Sequence, residues 1–70
     1  MDNVTEAEKR TLGQKLLEFQ RGGLVSYGKY LSDQLEYASK SDIRAAYKRY
    51  IENEIERNNR KIADIDEKLS

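Results

Sequence analysis

From Tyr47 onward the chain places an isoleucine every three or four residues, at Ile51, Ile55, Ile62 and Ile65, and ends the run at Leu69, with Asn58 as its polar interruption. Successive residues on a helix are rotated by about 100°, so positions spaced by three and four line one stripe. The pattern therefore predicts an amphipathic helix over about 42–69 whose apolar edge must be covered. With Ile55, Ile62 and Leu69 at heptad position a, Ile51, Asn58 and Ile65 fall at position d. Isoleucine at both positions leans away from a parallel two-stranded coil and toward three or four helices around a common core.

The first half of the chain predicts a second helix, over about 5–38. Thr5-Glu6-Ala7-Glu8 has the spacing of a capping box, in which hydroxyl and carboxylate each satisfy the other residue's backbone amide. Leu12, Leu16 and Phe19 occupy one edge of an apolar face, and Leu17, Leu24, Tyr27, Leu31, Leu35 and Ala38 continue it with a sideways drift. Gly22-Gly23 lies between the two halves, and each glycine costs about 1 kcal/mol relative to alanine in a helix. A break or kink there competes with one long helix, and the apolar arc that survives across the pair favours continuity. Gly13, Gly23 and Gly28 fall within or beside that arc; tolerated small residues are favoured over a seat for a second helix or a ligand.

Ser39-Lys40-Ser41 predicts the turn, at 39–41, with Ser41 as N-cap and Asp42 in the first turn of the next helix. So short a link between two long rods sends the chain back antiparallel. The expected fold class is all-α: residues 1–70 form one helical hairpin that dimerises into a four-helix bundle.

Composition explains why association is expected. The chain has 70 residues and neither cysteine nor histidine, so no disulfide or structural zinc supplements a small core. A lone hairpin leaves half of each helix in water. We therefore expect a homo-oligomer, a dimer in the first instance, whose interface comprises Tyr47, Ile51, Ile55, Asn58, Ile62, Ile65 and Leu69 with Leu24, Leu31 and Leu35. Asn58 would either hydrogen-bond its symmetry mate and fix the register or lie at a solvated edge beside Asn59.

Thirteen Lys and Arg balance thirteen Asp and Glu, so no global field draws the chain to nucleic acid or to an anionic membrane. Residues 1–11 hold no apolar stretch of the kind a signal peptide needs, and no apolar run approaches membrane-spanning length, so a cytoplasmic, membrane-free protein is expected. Catalysis, a metal and a cofactor are not expected. Without histidine or cysteine, a nucleophile and its base would have to come from lysine, tyrosine or carboxylates in a pocket that slim bundles seldom provide. Of Glu52, Glu54 and Glu56, only the first and last share a helix face.

One patch could grip a partner. Folding the hairpin about residue 40 would set Tyr30 opposite Tyr50 and Tyr37 near Ile43, with Tyr47 a turn away, beside Lys40, Arg44, Lys48 and Arg49. Tyrosine interleaved with Lys and Arg suits phosphates and stacked rings, but it is also an ordinary protein contact surface. Pairing of Glu36 with Lys40, and of Asp33 with Arg44 or Lys48 across the hairpin, would neutralise it, and this solvated, internally paired face is the favoured expectation. The sequence thus points to a non-enzymatic helical protein that self-associates and binds another protein, as adaptor, inhibitor or assembly factor. The less favoured reading is an RNA or nucleotide-like ligand held by the tyrosine and arginine patch.

Overall fold

A computed structural model describes residues 3–70. Two antiparallel helices, α1 (Glu6–Lys40) and α2 (Ala45–Leu69), make up the secondary structure of those residues, and they pack along one another. At 1.5 Å per residue they measure about 52 Å and about 37 Å. The molecule is a rod of 63 × 18 × 15 Å. Its radius of gyration is 17.5 Å, against about 11 Å for a compact domain of this length.

Helix α1 starts where the sequence places it. The Thr5 hydroxyl accepts from the Glu8 amide at 3.1 Å, and the Thr5 amide donates to the Glu8 carboxylate at 3.0 Å, so both halves of the capping box are made. The helix then runs unbroken through Gly22-Gly23, with no glycine at positive φ. Helical propensity is lost at those two positions, but the flanking leucines hold both halves against the same partner.

The turn lies further along the chain than expected, at residues 41–44 rather than 39–41. Contacts one turn back carry α1 past Ala38: the Ser39 hydroxyl donates to the Leu35 carbonyl, and the Lys40 ammonium pairs with Glu36. Ser41 is consequently the C-cap of α1 and not the N-cap of α2. Arg44 takes the N-cap position of α2 with no side-chain cap, and no acidic residue lies in that helix's first turn.

The helices meet along a 4–3 repeat on each. Leu17, Arg21, Leu24, Gly28, Leu31, Leu35 and Ala38 form the inner edge of α1; Lys48, Ile51, Ile55, Asn58, Ile62, Ile65 and Leu69 form that of α2, and all of them are buried or half-buried. Among the described residues Leu31, Ala38, Ile51 and Ile65 are the buried apolar ones. The Arg21 guanidinium pairs with Asp66, and Asn58 bonds the backbone at Leu24, which fixes the antiparallel register. Helix α2 ends beside Gly13, Gln14 and Leu17, so about the first two turns of α1 project beyond it.

Candidate association surfaces

The stripe read from sequence as an oligomer interface is, within a single chain, the contact between its own helices. Ile51, Asn58, Ile65 and Leu31 are buried there, whereas Ile55, Ile62, Leu69, Leu24 and Leu35 keep partial exposure along the margins, and Tyr47 is exposed. A lone chain therefore does not leave the isoleucines bare.

Asn58 is the polar centre of the seam, at 3% exposure. Its side-chain amide donates to the Leu24 carbonyl at 2.8 Å. A helical side chain leans over the turn before it, so a residue at 28 would normally cover that carbonyl, and glycine leaves it open. A Cβ on Gly28 would come 2.8 Å from the Asn58 amide nitrogen. Gly28 is thus the seat of Asn58, and the expectation of merely tolerated small residues is corrected at this glycine, while Gly13 and Gly23 have nothing within 4 Å of an added Cβ. Symmetry pairing through this amide nitrogen is replaced by an intrachain bond, and a solvated edge is excluded by the burial. The Asn58 carbonyl oxygen is buried without a partner, and exchanging the two amide atoms would only set that oxygen against the Leu24 carbonyl.

A second apolar stripe runs along the outside of α1. Leu12, Leu16, Phe19, Tyr27, Tyr30 and Tyr37 are all exposed, Phe19 to 80%. On a helical wheel this stripe lies about 140° from the inner edge, since Leu12 and Leu17 are five residues apart. Gly23 sits on it and Gly22 at its flank, and a Cβ at either would meet only open space. Tyr27 and Tyr30 stack, with ring centroids 6.5 Å apart. The sequence merged this stripe with the inner edge as a single drifting face. The distinguishing signal was present as two interleaved 4–3 repeats, one through Leu12, Leu16 and Phe19 and one through Leu17, Leu24 and Leu31.

The turn-end patch is only partly assembled. The observed register brings residues near 28 level with residues near 58, so Tyr30 falls level with about residue 56, and the expected Tyr30–Tyr50 juxtaposition does not form. Folding about residue 40 placed the fulcrum too early, for the reason that moved the turn. Tyr37, Tyr47 and Tyr50 remain exposed toward the turn end, while Tyr30 belongs with Tyr27 on the outer stripe. Lys40 pairs with Glu36 at 3.0 Å, as expected. Asp33 reaches neither Arg44 nor Lys48, and among the described residues Arg44, Lys48 and Arg49 have no ion pair. Arg44 and Arg49 are exposed; Lys48 is half-buried at the seam's end.

Charge elsewhere is locally paired: Lys9 with Glu6, Arg57 with Glu54, and Arg60 with Glu56. The Thr5 backbone amide, and then its hydroxyl, hold the Glu8 carboxyl below its ordinary value of 4.5. Hydrogen bonding to Asp66, reinforced by its charge, raises the Arg21 guanidinium further above its usual range. Among the described residues no group of three acidic side chains converges to hold a metal, and no helix is long and apolar enough to cross a membrane. No protein-family model matches the chain, and neither a curated protein nor a solved structure matches it either.

Proposed function

We propose that this chain is a non-enzymatic association module: it pairs with a copy of itself and, so assembled, binds another protein as an adaptor, inhibitor or assembly factor. One observation carries the reading. The hairpin exposes 5,989 Å², whereas a folded monomer of 8.2 kDa exposes about 4,500 Å². The excess of about 1,500 Å² is larger than the roughly 800 Å² that each partner contributes to a standard interface. Its location is informative as well, because the outer stripe of α1 carries exposed leucine together with Phe19 and three tyrosines, and aromatic residues are enriched at interfaces. The exposed Tyr47 and Tyr50, with Arg49, suit the contact with a further protein. Light scattering over a range of protein concentrations tests the first step: twice the 8.2 kDa chain mass is expected. A stable, helical species of single-chain mass at every concentration would overturn the reading.

A second reading has its own supporting observation: among the described residues Arg44, Lys48 and Arg49 have no ion-pair partner, and they lie toward the same end as the exposed Tyr37, Tyr47 and Tyr50. Here the turn end holds RNA or a nucleotide-like anion. Fluorescence anisotropy with a single-stranded RNA and with a labelled nucleotide, at low and then rising salt, tests it; binding lost steeply with salt and abolished by Arg44→Glu is expected. No change in anisotropy at high protein concentration would refute it.

A further inference from the structure

We propose that the second copy docks on the outer stripe of α1, antiparallel to it, with Gly23 and Ser26 at the centre of the crossing. The inference rests on the self-association reading and adds which face, which direction and which register.

The stripe is complementary to itself in one register. Large side chains lie toward both ends, Leu12, Leu16 and Phe19 before the glycine pair and Tyr27, Tyr30 and Tyr37 after it. If two such helices run antiparallel with the midpoint between residues 24 and 25, Leu12 comes level with Tyr37 of the other copy and Phe19 with its Tyr30. Gly23 then comes level with Ser26. Tyr30 and Tyr37 thus each meet an apolar side chain, and the two small residues meet each other, which is how facing layers reach interior packing density. Gly23 and Ser26, both exposed and both small, make the central layers and let the backbones approach. This alternation of d with a positions is the layer pattern of antiparallel helices. A parallel pairing would instead stack glycine on glycine and tyrosine on tyrosine, leaving the centre hollow.

Two features that the hairpin alone does not explain follow from the same register. The first is the projecting start of α1, where a shallow groove is lined by Ala7, Glu8, Thr11, Leu12 and Lys15 of that one helix. In the antiparallel pair this overhang lies against the turn end of the other copy. The second is the charge there: Glu6 and Glu8, in the first turn of α1, come level with the end of the other copy's α1 and its turn, which carry Lys40 and Arg44, and Arg44 has no ion pair among the described residues of its own chain. Asp33 comes level with Leu16 and is flanked by Lys15. The area also suffices, since the excess surface of each hairpin exceeds what one side of a stable dimer buries.

Cross-linking tests direction and register. The chain has no cysteine of its own, so Leu16→Cys and Asp33→Cys variants, mixed and oxidised, report one chosen contact. A disulfide joining one chain of each variant is expected, with neither variant linking to itself, because identical positions in the antiparallel pair stand about 25 Å apart. In parallel, Phe19→Glu should reduce the light-scattering mass to a single chain while circular dichroism stays at the wild-type helicity, since Phe19 is 80% exposed in the hairpin. The cross-linking arm holds the test together even if that variant loses helicity. A wild-type dimer that gives no mixed disulfide, or in which each variant links to itself, overturns this face and register while leaving self-association standing. A wild-type chain that stays monomeric overturns both.

Discussion

Replacing Gly28 by alanine should destabilise the hairpin, although alanine is the better helix former. Alanine in place of glycine gains about 1 kcal/mol of helix propensity. The added methyl, however, arrives 2.8 Å from the Asn58 amide nitrogen and displaces it from the Leu24 carbonyl. Asn58 is buried and its oxygen already lacks a partner, so the displaced amide forfeits its only hydrogen bond inside the seam, at about 1–3 kcal/mol. The balance is a loss of about 1 kcal/mol. In an Asn58→Ala background the obstruction and the hydrogen bond are both gone, and the same Gly28→Ala change should stabilise by about 1 kcal/mol. The sign reverses, with a coupling of about 2 kcal/mol between the two positions. For a chain this short each kcal/mol moves Tm by about 4–8 °C, so circular dichroism melts of the four variants resolve the cycle. All four must be measured at one protein concentration, because assembly makes the midpoint depend on it. Gly28→Ala raising Tm equally in both backgrounds would refute the claim that Gly28 exists to seat Asn58.

Ile51→Ala should cost about 2–5 kcal/mol in urea denaturation, as a 3% exposed side chain at the helix contact; a loss under half a kcal/mol would contradict its place in the core. Acid should loosen the start of α1. The Glu8 carboxyl is held below its ordinary 4.5, so the capping box contributes stability above that value and loses it as pH falls through the lowered one. Amide protection in the first turn of α1, measured relative to the intrinsic exchange rate at each pH, should therefore fall at acid pH in the wild type and show no such step in Glu8→Gln, with unchanged acid protection counting against the cap. Arg21→Ala should cost no more than about 1 kcal/mol, since both it and Asp66 are about half exposed. The effect should shrink at high salt, and an undiminished one would mean that Arg21 acts by packing rather than charge.

Much of the hairpin was legible because its determinants are local. Thr5 and Glu8 sit three apart, so the cap could be read directly, and the isoleucine repeat defines a stripe whatever it faces. Asn58 was legible as an anomaly but not as a solved one, since its acceptor is the backbone of Leu24, thirty-four residues away. The turn was misplaced because Ser39 and Lys40 were read as breakers, whereas each makes a contact one turn back, to Leu35 and Glu36, that belongs to the helix. The tyrosine patch went astray with it, for every cross-hairpin pairing shifts when the fulcrum moves.

The sequence by itself determined that two helices form, where the first begins, that an antiparallel return follows, and which edge of α2 is apolar. Capping and 3.6-residue periodicity act within a few residues, so they survive without knowledge of what lies opposite. Only the tertiary structure decided which of two apolar stripes on α1 is spent on α2 and which stays exposed. That choice depends on the register between the helices, and the register is set by Gly28 admitting Asn58 and by Ala38 admitting the start of α2, contacts whose partners are far apart along the chain.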